Sequence, residues 1–192
     1  MMRRIFGLMA MATMTLLLAC GGDDDGGGIT DEQRQLVMGQ SEGIGVFHTG
    51  LDDPLVLARD QPHSIVREFD LNSDEVNDIL IRAYQDFNGN KGLTITTAND
   101  STRVLVNTDG LVTPLEEGDI VTIESTTWSM LDQAPLAVSE GGNTTGIWNM
   151  AGRRYVAVRM DIGISRFLAW IELSVEDYDN YSFYNFALRA VP

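Results

Sequence analysis

The last third of the chain alternates apolar and other residues with a period of two, and this pattern restricts the fold more than any other feature. Apolar side chains occupy every second position over 156–162, 167–175 and 184–188. Because successive side chains of a strand point to opposite faces, each segment predicts a strand with one apolar face. A turn near Gly163 and a polar turn at 176–180 separate the segments, and we therefore predict an antiparallel meander.

Shorter β-like runs precede this meander, and they lie at 64–69, 78–84, 93–97, 103–106 and 120–125. Turn-favouring pairs such as Asn88-Gly89 and Asp109-Gly110 separate them. Only the segment 32–38, which ends before Gly39, predicts a short helix. Many short strands without intervening helices favour an all-β fold, and we expect an antiparallel β-sandwich.

Cys20 is the only cysteine, and it follows a leader with the features of a secretory signal. Arg3 and Arg4 precede an apolar stretch that is too short to span a bilayer. The sequence Leu17-Leu18-Ala19-Cys20 resembles the lipobox of bacterial lipoproteins. This resemblance implies that residues 1–19 are removed as a signal peptide and that the Cys20 thiol carries a diacylglyceryl group with fatty acyl chains such as palmitate. The alternatives are an uncleaved anchor and a plain secreted precursor, in which Cys20 has no special role.

Residues 20–28 form an acidic, glycine-rich segment that cannot bury apolar area, and we interpret it as a flexible tether. In the lipoprotein family, Gly21 after the lipidated cysteine implies transport to the outer membrane. The aspartates at 23–25 resemble the export signal of some surface lipoproteins, although a solvated spacer would have the same composition. Residues 29–192 are long enough for one domain with a full core.

The chain is strongly acidic, and this charge restricts its partners. Removal of a leader with two arginines leaves 11 of the 13 basic residues against 28 acidic ones, a formal charge of −17. Such a chain is repelled by phosphate backbones and anionic lipid headgroups, so we expect no nucleic-acid partner. We expect a monomer that contacts the membrane only through its N-terminal lipid.

The segment from Asp70 to Asp78 is the only one with the chemistry of a metal site. Oxygen side chains at its first, third, fifth and ninth positions are those of Asp70, Asn72, Asp74 and Asp78, and Val76 offers a backbone carbonyl at the seventh. This spacing resembles the calcium loops of EF-hand, dockerin and integrin-like repeats, which implies that these five residues ligate calcium.

Two departures weaken that pattern. Glu75 stands where these loops have a glycine in a left-handed turn, and Ile81 stands where the EF-hand has its bidentate glutamate. A turn rich in Asp and Asn, with solvated carboxylates, is the alternative interpretation.

Other segments carry weaker signals. His48 and His63 show neither a zinc-binding spacing nor a hydrolase motif, and we interpret His63 as a loop residue. The pairs Asp52-Asp53 and Glu116-Glu117 fit solvated turns better than acid–base catalysis. The segment 141–146 lacks the lysine of a phosphate loop and predicts a flexible loop.

The order of the Asp-rich segment, at 69–81, and of a late strand pair, at 154–159 and 169–173, resembles a group of secreted bacterial domains of uncharacterised function. The resemblance spans most of 64–191 and implies no activity. We find no catalytic constellation in the sequence and do not expect an enzyme. The sequence therefore predicts a non-catalytic envelope domain that is structural or binds an unknown ligand, such as a glycan or another envelope component.

Trp128, Trp148 and Trp170 leave two alternatives open, because exposed aromatic rings stack on sugars whereas buried rings fill a sandwich core. We expect burial for Trp170. Exposed, coplanar tryptophans would indicate a carbohydrate-binding module, and their burial would indicate a structural envelope protein. Two carboxylates facing across a cleft would indicate a glycan-active enzyme.

Lipidation at Cys20 is directly testable. Metabolic labelling with a fatty-acid analogue should tag the chain, and Cys20→Ser should leave it soluble and unlabelled because the acceptor thiol is gone. Label that persists in Cys20→Ser would contradict the lipobox interpretation.

Overall fold

The computed structural model describes residues 30–43, 45–56, 62–125 and 127–192; within these ranges the side chains of 31, 32 and 51–56 are not described. One turn of 3₁₀ helix, Asp31–Arg34, opens the described part. The strands are β1 (Gln35–Val37), β2 (Val46–Val56), β3 (His63–Phe69), β4 (Ile79–Gln85), β5 (Lys91–Thr97), β6 (Thr102–Leu105), β7 (Ile120–Thr122), β8 (Trp128–Ser129), β9 (Ala134–Glu140), β10 (Asn143–Thr145), β11 (Gly152–Ile162), β12 (Ser165–Asp177) and β13 (Asn180–Val191). None of the described residues forms a helix with the length and hydropathy that a membrane span requires. Cys20, the leader and the tether lie outside the described residues.

The chain folds into an all-β sandwich, as the alternation predicts. One sheet has five strands in the order β10-β9-β5-β4-β3, the other has six in the order β2-β13-β12-β11-β6-β8, and all pairings are antiparallel. The predicted meander is present as β11, β12 and β13. Between the sheets lies a core that includes Ile79, Ile81, Leu93, Ile95 and Leu136 from one sheet and Val156, Val158, Met160, Ala169, Ile171 and Leu173 from the other.

A third layer covers the outer face of the six-stranded sheet. In it β1 and β7 pair with each other, Leu36 opposite Val121. Leu36 and Met38 are buried beside Tyr155 and Trp170 in a second core. The central meander is therefore buried on both faces, whereas the sequence predicts only one apolar face.

The short helix predicted at 32–38 is wrong. Only one 3₁₀ turn forms, and β1 begins at Gln35. Leu36 and Met38 are both almost fully buried, which a strand of period two achieves, and the Met38 N–H donates to the carbonyl oxygen of Asp119. Packing against the sheet has overridden local helix propensity.

Two predicted loops are also wrong. His63 begins β3, where it pairs with Gln85, because the strand extends to the end of its partner. The segment 141–146 contains the turn and second strand of the β9–β10 hairpin. Its Gly146 has φ +82°, and a Cβ there would overlap the carbonyl oxygen of Leu136, so this position requires glycine.

The third layer can be tested with a matched pair of truncations. Leu36→Ala should lower the free energy of unfolding by about 2–5 kcal/mol, because Leu36 is fully buried between β1 and the sheet. Val66→Ala, on the exposed side of β3, should cost about 0.5 kcal/mol or less. Chemical denaturation measures both, and equal costs would show that β1 does not pack as described.

Candidate functional site

Strand register gathers polar and aromatic side chains on the outer face of the six-stranded sheet. Tyr155 on β11 lies opposite Glu172 on β12, and Glu172 lies opposite Asn185 on β13. One row along, Trp170 lies opposite Ala187, which lies opposite His48. Because every second residue of a strand shares a face, the two rows are neighbours and form one floor.

This floor is the base of an open cleft of about 590 Å³, a volume within the roughly 300–1,000 Å³ typical of small-molecule sites. The wall of the cleft faces this floor. It is formed by Gly39 and Ser41, after β1, and by Glu116 and Glu117, before β7. Gly39 has φ +80°, and a Cβ there would lie 2.9 Å from the Tyr155 hydroxyl. The wall therefore approaches the floor too closely for any other residue at position 39.

Glu172 is the central charged group of the cleft. Its side chain is 3% exposed, and its Oε1 accepts hydrogen bonds from Arg153 Nε and, at 3.1 Å, from the Tyr155 hydroxyl. Burial, together with the Glu172 carboxylate, raises the pKa of Tyr155 to about 12, so its hydroxyl stays protonated as a donor. The hydrogen bond to Glu172 raises the pKa of Arg153, whose guanidinium lies 4.2 Å from the ring centroid of Tyr184.

Two further polar atoms of the floor lack partners. Trp170 Nε1 and Asn185 Oδ1 are buried and make no hydrogen bond with any residue that the structure describes. The other two indoles are satisfied, since Trp148 Nε1 donates to Val112 O at 2.9 Å and Trp128 Nε1 donates to Thr122 O at 3.3 Å. An unpaired buried donor or acceptor costs about 1–3 kcal/mol. Four further atoms of this kind occur among the described residues, at Gln40, Arg67, Gln85 and Asn149. The cleft floor is where two such atoms lie beside a buried carboxylate.

The tryptophans do not form an exposed platform. Trp148 and Trp170 are almost fully buried, in the first and second cores respectively, and Trp128 is half-buried against the second core. Burial of Trp170 confirms the prediction for that residue. Exposed, coplanar tryptophans are therefore not the basis of any binding surface here.

The remaining sequence candidates lie apart or in the cleft wall. Glu116 pairs with Arg154 at 3.2 Å and lines the cleft together with Glu117. His48 lies at the cleft, and its exposed ring is 5.9 Å from that of Trp170. Asp52 and Asp53 belong to β2, although a solvated turn is expected there. The sequence pattern does not reveal Glu172 or Asn185 as site residues, since alternation alone assigns them to a solvated face.

The Asp-rich segment forms a loop of bends between β3 and β4 whose side chains bind its own backbone. Asp70 accepts the N–H groups of Asp74 and Glu75 at 3.1 and 2.8 Å, and Asn72 Oδ1 accepts the Asp74 N–H at 3.0 Å. Asp74 Oδ1 accepts the Val76 N–H at 2.9 Å. Glu75 has φ +69°, the left-handed conformation expected at this position. The loop therefore brings Asp70, Asn72 and Asp74 together.

Asp78 is used differently from these three residues. It is buried; its Oδ2 accepts the Leu71 N–H at 2.9 Å, and its Oδ1 accepts from Asn99 Nδ2 at 3.2 Å and from the Thr102 hydroxyl at 3.3 Å. Burial raises the pKa of this carboxyl. Asp78 thus ties the loop to β6 and to the chain before it.

Within the residues that the structure describes, no group of three or more His, Cys, Asp or Glu side chains is arranged to hold a metal ion. Calcium at Asp70, Asn72, Asp74, Val76 and Asp78 stays a prediction. Comparisons with family models, with curated proteins and with solved structures found no match.

The calcium prediction can be tested by melting curves. Millimolar calcium should raise the melting temperature, magnesium should do so less because it keeps its water and needs a stricter octahedron, and Asp74→Ala should remove the difference. Glu75→Gly should stabilise the loop even without calcium, because glycine relieves the positive φ. Identical curves in calcium and in a chelator would show that the loop is only a polar turn.

Proposed function

We propose that this chain is an outer-membrane lipoprotein whose β-sandwich binds a small polar ligand in the cleft over β11, β12 and β13 without transforming it. The proposal rests on Glu172. Its carboxylate is buried at the cleft floor, and its Oε1 takes both hydrogen bonds, which leaves Oε2 as an acceptor. The proposed outer-membrane location rests on the lipobox at Cys20 and on the tether that follows it.

A purely structural role does not explain this arrangement of side chains. Burial of a carboxylate costs several kcal/mol by typical magnitudes, and its partner Arg153 is 56% exposed, so the pair offsets that cost only in part. Trp170 and Asn185 add an unpaired donor and an unpaired acceptor beside it. Apolar residues at these positions would stabilise the sheet better. A bound ligand would supply the hydrogen-bond partners that these polar atoms lack.

Glycan hydrolysis is the second candidate, since two carboxylates lie near the Tyr155 hydroxyl. Glu172 accepts its hydrogen bond, and Glu117 lies on the opposite wall, with Cγ 3.1 Å from the Cβ that Gly39 lacks. A glycosidase needs one carboxylic acid and one carboxylate, each free to act. Glu172 has only Oε1 paired, with Arg153 and Tyr155, so recovery of the ligand unchanged is the result that distinguishes binding from hydrolysis.

A screen of chemical classes tests the binding role. The full chain is melted with neutral sugars, amino acids, carboxylates, amines and nucleosides. A ligand at a hundredfold excess over Kd stabilises by about 2.7 kcal/mol, a rise of roughly 5–10 °C for a domain of this size. At least one class should produce this rise, and the ligand should be recovered unchanged.

The matched variants are Glu172→Gln and Glu140→Gln. Glu140 accepts the Tyr84 hydroxyl at 2.6 Å on the outer face of the other sheet, so it is the same kind of pair outside the cleft. The rise should be lost in Glu172→Gln and kept in Glu140→Gln. If Glu172→Gln does not fold, Glu117→Gln at the rim serves as the second cleft variant, and the rise in melting temperature should be lost in it as well. A rise that survives both cleft variants, or no rise with any class, would contradict the proposal.

A further inference from the structure

We infer that the ligand of the cleft is a neutral, hydroxyl-rich molecule, namely a carbohydrate of one or two rings. This inference rests on the proposed binding role and specifies the chemistry of the same site. Three properties of the cleft carry it: its charge balance, its mixture of donors and acceptors, and its aromatic rim.

The charges of the cleft are already paired for the most part. Arg153 pairs with Glu172, and Arg154 pairs with Glu116. An anionic ligand would meet no unpaired cation from these arginines and would also meet Glu117. A cationic ligand could pair with Glu117 at the rim, but at the floor it would lie beside Arg153, which pairs with Glu172 and covers the face of Tyr184. A neutral ligand avoids both penalties.

The floor contains both hydrogen-bond acceptors and hydrogen-bond donors. Glu172 Oε2 and Asn185 Oδ1 accept, whereas Trp170 Nε1 donates and the arginines carry further N–H groups. A hydroxyl both donates and accepts, so adjacent hydroxyls of a sugar ring complement such a surface. Trp170 Nε1 and Asn185 Oδ1 are buried, so a hydroxyl reaches them only when a neighbouring side chain moves. His48 is the exposed neighbour, with its ring 5.9 Å from that of Trp170.

The rim provides flat groups for the apolar face of a sugar. The exposed His48 ring lines the cleft on one side of the floor. On the other side the flat group is the planar Arg153 guanidinium, which is 56% exposed and covers the face of Tyr184 at 4.2 Å. The electron-rich face of an aromatic ring attracts the electropositive C–H groups of a sugar. The volume of about 590 Å³ and the open mouth suit one or two rings.

A second hollow, of about 390 Å³, has similar ingredients but is not built in the same way. It lies on the outer face of the five-stranded sheet and includes Arg82, Tyr84 and Glu140. Arg82 and Glu140 are exposed and Tyr84 is half-buried, so the carboxylate of the Tyr84–Glu140 pair lies at the surface, whereas that of Glu172 is buried. This surface serves as a control for the cleft.

The three tryptophans provide a built-in measurement. Each indole N–H gives one signal in a proton–nitrogen correlation spectrum, and only that of Trp170 lies at the cleft, while Trp148 and Trp128 are internal controls. Trp170→Phe assigns the signal by removing it. The full chain is titrated with glucose, galactose, mannose, xylose, N-acetylglucosamine, cellobiose and maltose. We expect at least one of these to shift the Trp170 signal and leave the other two indoles in place.

The best neutral sugar is then compared with its amino and uronic-acid analogues, which keep the ring and change the charge. Both charged analogues should bind at least tenfold more weakly. Asn185→Leu should weaken the neutral sugar about tenfold, which corresponds to 1.4 kcal/mol, while Glu140→Gln leaves its affinity unchanged. The Trp148 and Trp128 signals of each variant report whether its fold is intact.

The outcomes separate this inference from the binding role on which it rests. If a charged analogue binds as tightly as the neutral sugar, or if no sugar shifts the Trp170 signal while another class does, the inference is overturned and the binding role stands. If no class in the wider screen shifts the Trp170 signal, both fail.

Discussion

The packing of the β11–β12–β13 meander on both of its faces is the constraint on which the rest of this structure depends. Its inner face closes the core against the five-stranded sheet, and its outer face holds the second core under β1 and β7. A sheet buried on both sides is normally apolar throughout. Glu172 is an exception, and it lies where the third layer ends and the cleft begins. The floor is polar there because β1 and β7 do not cover this part of the sheet.

The third layer also explains why two similar side-chain pairs differ in burial. Tyr155–Glu172 and Tyr84–Glu140 are both tyrosine–glutamate pairs on outer sheet faces. No further layer of the described chain covers Tyr84 and Glu140, whereas Gly39 and Glu117 close over Tyr155. The same two residue types therefore form a surface pair in one sheet and a recessed polar floor in the other.

The sequence pattern predicts the elements that neighbouring residues determine. It misses the elements whose burial depends on residues far away in the chain. The long alternating strands are visible because hairpin neighbours lie next to each other in the chain. The pattern of β2 is not visible, since the strand contains Gly50 and Pro54 and a register shift between Phe183 and Asn185 interrupts its pairing with β13. The local pattern of 32–38 predicts a helix and misses β1, because the burial of Leu36 depends on Trp170, which lies far away in the sequence. The sequence does not predict the cleft for the same reason, because the cleft requires β11, β12 and β13 in register together with the segments after β1 and before β7.

The place of β1 has a mechanical consequence. It is the first strand after the 3₁₀ turn, so tension applied from the N-terminal side of the chain reaches Gln35–Val37 before any strand of the main sheets. Three residue pairs with β7 hold this segment, whereas eleven join β11 to β12. Force from that side would therefore remove the cover beside the cleft first and open its wall, while the two sheets of the sandwich stay packed.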